Sequence, residues 1–309
     1  MGIKSKAAAA ILVLLLFLGS LWLYGGLDYH WDHCIKGYNQ VNKFHQLSNN
    51  SSSSKDAEGP QVLETCPGQT FQVSLLLSHL LAAPAYTSDV LLKPYLSSWD
   101  ELVKFMDALG PMVGLISKEI ETKTSIIRKL ALLAEESPEA ELGSVAHSAD
   151  SVGTDTGAKN SLVSSQHTGA YHSVRSMIWS ELNRGVVNFH HQTDSGCRTI
   201  LRLHRALLWL KLFIEKLAET PVGGRLRSPS DLCREAYQST LAKHHTWFVR
   251  RAAELAFIAL PERGFFFRLL CAQNQEELSR MLNRVAQAIE EVYDRTEKAL
   301  EQNGMLDLP

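Results

Sequence analysis

Residues 195–213 read SGCRTILRLHRALLWLKLF and combine the apolar periodicity of an amphipathic helix with three arginines. Arg198, Arg202 and Arg205 follow one another at spacings of four and three residues. Because a helix turns by about 100° per residue, these arginines and Trp209 fall within an arc of about 60°. Apolar residues border this arc on both sides, so we predict that the arginines do not lie on the solvent face.

The three arginines form a stripe of like charge that needs an anion nearby. Like charges four residues apart destabilise a helix mildly, and no acid shares the arc. Guanidinium groups bind phosphate and carboxylate oxygens through paired hydrogen bonds. The stripe, Arg198, Arg202 and Arg205, therefore predicts a local anion site. The solvent face of this helix is predicted at His204, Lys211 and Glu215.

A second predicted helix carries the opposite anomaly, an acid among apolar residues. In PMVGLISKEIETKTSIIRKL, residues 111–130, Glu119 and Lys123 fall in the middle of the apolar face. Burying an ion costs several kcal/mol unless the ion is paired. One interpretation is a simple ion pair within the core. The other is a pocket between the two helices, with donors and acceptors set in an apolar wall.

Composition excludes several classes of protein. The chain has 309 residues, a formal net charge of −2 and a pI near 6.6, whereas a nucleic-acid-binding domain is strongly basic. No nucleophile–base pair and no phosphate-binding loop stands out, so neither an enzyme nor a cofactor is predicted. Adjacent His244 and His245 lack further ligands at metal-binding spacing, so no metal is predicted either.

The five cysteines are odd in number and widely spaced. No CxxC pair occurs, which argues against a zinc site or a redox dithiol. We expect Cys197, Cys233 and Cys271 to be buried free thiols.

The chain divides into a short N-terminal region and one helical domain. Apolar periodicity of about 3.6 residues runs through 71–83, 97–134, 171–192, 197–218, 229–259 and 274–302. Alternating strand patterns are not evident, and Pro94, Pro111 and Pro261 mark boundaries or kinks. The prediction is an all-α domain over 68–309. An insertion at 135–170, rich in Ser, Gly, Ala and Asp, is predicted to be disordered.

The N-terminal region predicts membrane targeting. A short basic N-terminus at 1–6 precedes an apolar run at 7–27, long enough to span a bilayer as an N-terminal hydrophobic helix. A signal anchor is favoured over a cleaved signal peptide, because small residues are missing at a cleavage site. A flexible stalk is predicted at 28–67, with glycosylation sequons at Asn49 and Asn50. The expected localisation is a single-pass membrane protein; a secreted or lumenal protein and a cytosolic-face protein are the alternatives.

Several stretches resemble the glycolipid transfer protein family, most closely its ceramide-1-phosphate-transferring branch. They are LLKPYLSSWDELVKFMDALGPMVGLISKEIETK, the arginine-bearing helix, HHTWFVRRAAELAFIALP and the terminal LDLP. The resemblance implies a two-layer all-α sandwich whose layers part to accept lipid chains. It covers nearly all of 68–309 but neither the insertion nor the N-terminal region.

The resemblance also implies a set of ligand-binding residues. The family has an Asp and a Lys four residues apart in the headgroup site, and Glu119 and Lys123 stand at these positions. Arg198 and Arg202 match two phosphate-binding arginines, the first replacing a tryptophan that stacks on sugar in the glycolipid branch. His245 matches a histidine that helps to orient the sphingoid amide.

The function implied is binding and intermembrane transfer of ceramide-1-phosphate or a related phosphorylated sphingolipid. The implied partners are this lipid and a membrane surface, with no nucleic acid and no metal. One alternative is a membrane-tethered sphingolipid sensor or adaptor that does not shuttle lipid. Another is a helical interaction domain that has lost its pocket, since Glu119 departs from the family pattern.

Overall fold

A computed structural model describes residues 66–135, 169–220 and 226–309. Within these ranges the chain forms nine α-helices and one short 3-10 helix and contains no β-strand, so the predicted all-α class is confirmed. The α-helices are α1 (Val73–Ala82), α2 (Leu92–Ala108), α3 (Pro111–Glu135), α4 (Val174–Asn183), α5 (Gly196–Ala218), α6 (Pro229–Ser239), α7 (Trp247–Ile258), α8 (Arg263–Leu269) and α9 (Gln275–Glu301). The 3-10 helix, Ala242–His244, lies between α6 and α7.

Helix α5, which carries the arginine stripe, lies at the centre of the packing. Helices α3, α4, α6 and α9 all contact it. Its apolar residues recur at helical spacing and are buried, among them Ile200, Leu207 and Ile214. The sequence pattern that predicted this helix therefore also makes it the central element of the core.

The first turn of α5 is fixed by a buried carboxylate. Glu181 at the end of α4 accepts hydrogen bonds from the backbone N–H groups of Gly196 and Cys197, at 2.6 and 2.9 Å. Ser195 accepts a third from the N–H of Arg198, at 3.1 Å. A Cβ at position 196 would lie 2.8 Å from the Glu181 carboxylate, so glycine is required for this close approach. These bonds satisfy the free N–H groups of the helix start and place Arg198.

Helix boundaries follow glycine and proline. The periodic run predicted over 97–134 is divided into α2 and α3, because Gly110 adopts a left-handed φ of 113° and Pro111 starts the next helix. The run predicted over 171–192 is shorter than expected, since α4 ends at Asn183 and Gly185 follows with a φ of 66°.

The cysteine prediction is corrected at one position. Cys66 and Cys271 form a disulfide with their Cα atoms 5.8 Å apart, and it joins the start of the described domain to the turn between α8 and α9. Cys271 is therefore not a free thiol. Cys197 and Cys233 are buried and free as predicted, and burial raises the pKa of both thiols.

The predicted solvent face of α5 is also corrected. His204 is 2% exposed and stacks on Tyr293 of α9, with ring centroids 4.0 Å apart. Lys211 bridges Glu215 and Glu290, at 3.1 and 2.9 Å. This side of the helix is covered because α9 packs along it.

The predicted localisation, a single-pass membrane protein held by a signal anchor, is contradicted. In 66–135, 169–220 and 226–309, no helix has both the length and the apolar content to cross a membrane. Even the long helix α5 carries its arginine stripe, and the longer α9 carries charge along one face. The apolar segment 7–27, the N-terminus 1–6, the stalk up to residue 65 and the insertion from 136 to 168 lie outside the described residues.

Candidate functional site: an arginine stripe beside an apolar cleft

The arginine stripe is partly buried on α5. Burial lowers the pKa of Arg202, and the positive charges of Arg198 and Arg205 lower it further, whereas Glu119 raises it. Burial likewise lowers the pKa of Arg205, against the opposing effect of Asp307. Three neighbouring guanidinium groups in a partly buried site make a strong local positive field.

Two of the three arginines are held by the end of the chain. Arg198 Nε donates to the carbonyl oxygen of Pro309 at 2.7 Å, and its Nη2 donates to the side-chain oxygen of Gln192 at 2.8 Å. Arg205 Nη2 donates to the carbonyl oxygen of Leu306 at 2.7 Å. Arg202 makes a longer bond of 3.4 Å to the carbonyl of Arg198 within its own helix. Sequence reasoning missed these contacts, although it had noted the terminal LDLP.

The Glu119–Lys123 pair of α3 faces the stripe. The Lys123 ammonium lies 2.7 Å from the Glu119 carboxylate. The Glu119 side chain is 66% exposed and that of Lys123 is 21% exposed, so the pair is not buried as the helical pattern predicted. The charge of Glu119 acts on Arg202 across the gap between the two helices. The structure thus brings the α3 pair and the stripe to one site.

His245 lies between the 3-10 helix and α7. Its Nδ1 is 2.9 Å from the Tyr237 hydroxyl, and partial burial lowers its pKa. The preceding His244 has its pKa lowered by burial and then by the charge of Arg205. The turn that carries the two histidines therefore lies near the Arg205 end of the stripe, and His245 itself contacts Tyr237.

An apolar cleft opens alongside α5, between two groups of helices. It is a narrow cavity of about 10 Å³ with a wholly apolar lining. Its lining comes from α2, α3 and the residue after α2 on one side, and from α5, α6, α7 and the segment after α7 on the other: Met106, Leu109, Val113, Ile116, Trp209, Leu210, Phe213, Cys233, Phe257 and Leu260. A cavity of this size holds about one water molecule, so hydrocarbon chains enter only if the two sides part.

Helix α5 thus contributes both to the charged arginine stripe and to the apolar cleft. The arginines occupy the first three turns of α5, and Trp209 and Phe213, one and two turns further along, line the cleft. Among the described residues no group of three or more His, Cys, Asp or Glu side chains is placed to hold a metal ion. Fold and site define a helical protein suited to an amphiphile with an anionic head and an apolar body.

Residues 90–272 match the glycolipid transfer protein family, and the chain belongs to that family. It is 35% identical to a ceramide-1-phosphate transfer protein of Xenopus laevis over 224 residues, which are 72% of this chain and 88% of the relative. The human ceramide-1-phosphate transfer protein is 34% identical over 224 residues, with the same shares covered. Proteins of this family transfer lipids and are not enzymes, in agreement with the prediction from the sequence.

Solved structures agree with the two-layer fold that the family resemblance implied. The human ceramide-1-phosphate transfer protein in complex with 12:0 ceramide-1-phosphate has a TM-score of 0.60 and 32% identity, covering 76% of this chain and 98% of that one. The apo form of the mouse protein gives 0.61 and 33%, covering 77% and 100%. The helical architecture is therefore that of the family.

Proposed function

We propose that this protein binds a phosphorylated sphingolipid, ceramide-1-phosphate, and transfers it between membranes. The observation that carries the proposal is the position of the arginine stripe and of the cleft-lining Trp209 and Phe213 on the same helix. A headgroup held by the arginines would have its chains directed along α5 into the cleft. The names of the closely similar relatives support the same ligand class.

Arg198, Arg202 and Lys123 would hold the phosphate. A phosphomonoester carries a charge of about −1.5 to −2 at pH 7 and three strong acceptor oxygens. Arginine matches these oxygens with paired N–H groups, and lysine adds a compact charge from the facing helix. The lowered pKa of Arg202 reflects burial and repulsion by its neighbours, both of which favour the arrival of an anion.

Glu119 and His245 would hold the sphingoid amide. In this proposal the Glu119 carboxylate accepts a hydrogen bond from the amide N–H, and Lys123 keeps the carboxylate in place at 2.7 Å. Glutamate reaches one methylene further than the aspartate usual in the family, which suits its exposed position at the mouth of the site. The bond between Tyr237 and His245 Nδ1 fixes the imidazole and leaves Nε2 for the ligand.

The hydrocarbon chains would be buried in an opened cleft. Each CH₂ group removed from water contributes about 0.8 kcal/mol, which offsets the cost of parting the helices. The small volume of the cleft is consistent with a lipid-free state in which the two sides are in contact.

A membrane surface is the expected partner during uptake and release. Helix α7 exposes Trp247 and Phe248, with 56% and 78% of their surface accessible, beside Arg250 and Arg251. Exposed aromatic groups with adjacent cations suit the interface of an anionic bilayer. The same helix contributes Phe257 to the cleft, so a docked α7 would bring the lipid entrance to the membrane.

Transfer of labelled ceramide-1-phosphate between donor and acceptor vesicles tests the proposal. We expect the full chain to accelerate transfer in proportion to its concentration. Tight binding without transfer would instead support the sensor or adaptor function. Absence of both would support a helical interaction domain without a lipid pocket.

A further inference from the structure

The chain reverses direction after α9 and crosses the arginine stripe. Gly304, in a left-handed conformation with a φ of 65°, donates to the Glu301 carbonyl at 2.9 Å. Met305 donates to the Leu300 carbonyl, also at 2.9 Å. This pair of bonds closes the helix and turns the chain back toward α5.

The segment beyond this turn, Met305–Pro309, is anchored in the core and is called here the tail clamp. Met305 and Leu308 are buried, with 0% and 4% of their surface exposed. Between and after these anchors, the carbonyls of Leu306 and Pro309 accept hydrogen bonds from the stripe, both at 2.7 Å. The two bonded arginines lie on either side of Arg202 along the helix.

We propose that the tail clamp is a positioning element of the headgroup site, an inference that rests on the proposed function. Arginine has many rotamers, and three adjacent cations repel one another toward solvent. A carbonyl oxygen on each flanking guanidinium counters that spreading and keeps the remaining N–H groups aimed at one point beside Arg202. The clamp engages Nε of Arg198 and Nη2 of Arg205, so each guanidinium keeps further N–H groups for a phosphate.

The clamp should matter for a phosphate headgroup and not for a neutral one. Holding the flanking arginines before the ligand arrives reduces the ordering cost of binding phosphate. A ceramide with the same chains but no phosphate does not use the arginines, so its affinity does not depend on their placement. The ratio of the two affinities is therefore a readout that a purely structural role of the tail would not change.

Leu308→Ala in the full chain tests the proposal by removing an anchor without touching an arginine. We expect the dissociation constant for ceramide-1-phosphate to rise roughly tenfold, with that for the matched ceramide changing less than about twofold. The control is Leu278→Ala, which removes the same side chain from a fully buried site at the other end of α9. It should leave the ratio of affinities unchanged.

The milder Pro309→Gly variant, which leaves the core intact, replaces Leu308→Ala if the latter fails to fold, with an expected loss of about threefold for ceramide-1-phosphate alone. Equal losses for both lipids, or an unchanged ratio, would overturn the tail clamp. A wild-type chain with no preference for ceramide-1-phosphate would overturn both the clamp and the proposed function. A wild-type preference that the variants retain would overturn the clamp alone.

Discussion

Arg202 is the arginine at the middle of the stripe, and its removal should strongly weaken binding of the phosphate lipid. Arg202→Leu keeps a side chain that packs between the apolar borders of α5 but removes the guanidinium. Truncating one partner of a charge pair in a desolvated site costs about 2–5 kcal/mol, so affinity for ceramide-1-phosphate should fall at least about 30-fold. Titration calorimetry with a short-chain, soluble form of the lipid measures the loss.

The matched control is Arg280→Leu, at an exposed arginine of α9 outside the site. Both variants should unfold at temperatures close to that of the wild type. Wild-type affinity in a folded Arg202→Leu chain would remove this arginine from the headgroup site.

Substitutions of Glu119 distinguish two roles for its carboxylate: acceptor for the lipid amide, or ion-pair partner of Lys123 only. Glu119→Gln keeps a carbonyl oxygen but loses the charge, and charge-assisted hydrogen bonds are roughly twice as strong as neutral ones. We expect affinity for ceramide-1-phosphate to fall by about 1 kcal/mol, at the low end for such bonds because the side chain is exposed. Glu119→Asp should do less harm.

Transfer rates and dissociation constants of the two Glu119 variants check this expectation. Wild-type behaviour of both would leave Glu119 as an ion-pair partner only. Tighter binding by the glutamine variant would mean that the carboxylate opposes the phosphate.

The burial of His204 predicts that the stability of the folded chain depends on pH, independently of lipid binding. Burial, with a further contribution from Arg205, lowers the pKa of His204 to about 3. The unfolded chain takes up the proton near pH 6.5, whereas the folded chain does not until about pH 3. His204 therefore does not reduce the free energy of unfolding above pH 6.5, and it lowers that free energy by about 1.4 kcal/mol per pH unit below pH 6.5.

His204→Phe should remove this dependence while keeping the stack on Tyr293. Chemical denaturation of both proteins between pH 7 and pH 4.5 measures the difference in their free energies of unfolding. As the pH falls, the variant should become increasingly stable relative to the wild type. A difference that stays constant with pH would mean that His204 is solvated in the folded chain.

At the scale of helices, the periodicity of the sequence predicted that a helix exists better than it predicted where the helix begins and ends. The 3.6-residue pattern of α5 is long and regular, and the structure has a helix of nearly the predicted length. The run over 97–134 keeps the same periodicity across Gly110, so only that glycine and Pro111 indicate the break. The pattern also placed His204 on a solvent face, since a helical wheel does not show which faces a second helix covers.

Contacts between distant parts of the chain were beyond prediction. The tail clamp joins residues more than 100 positions apart through backbone carbonyls, which leave no trace in the side-chain sequence. The arginine stripe and its partner pair on α3 were predicted because their anomaly is local. The exposure of Glu119 was not, because it depends on how far α3 stands from α5.

The disulfide between Cys66 and Cys271 ties the start of the described domain to the turn after α8. It spans 205 positions, and crosslinks of this kind stabilise the folded state by about 2–4 kcal/mol. Replacing both cysteines by serine should lower the free energy of unfolding by that amount. A dithiol reductant should bring the wild type to the same value and leave the double variant unchanged. A wild type that is insensitive to reductant would contradict the expectation.

On the scale of the whole molecule, α5 couples a polar site to an apolar one. The stripe and the cleft share a helix, so in the proposed function one ligand occupies both, with its charge at one end and its chains at the other. The cleft is nearly closed, so the proposed binding of hydrocarbon chains requires movement of the helices around α5. The phosphate alone or the chains alone would use only half of the site.

Headgroup selectivity tests the central claim most directly. Dissociation constants of the full chain should be measured for ceramide-1-phosphate and for a glycosylceramide with identical chains, in the same buffer. Because the proposed site offers guanidinium groups for a phosphate, the phosphate lipid should bind at least about tenfold more tightly. Equal affinity, or tighter binding of the glycosylceramide, would contradict the assignment of the arginine stripe to a phosphate headgroup.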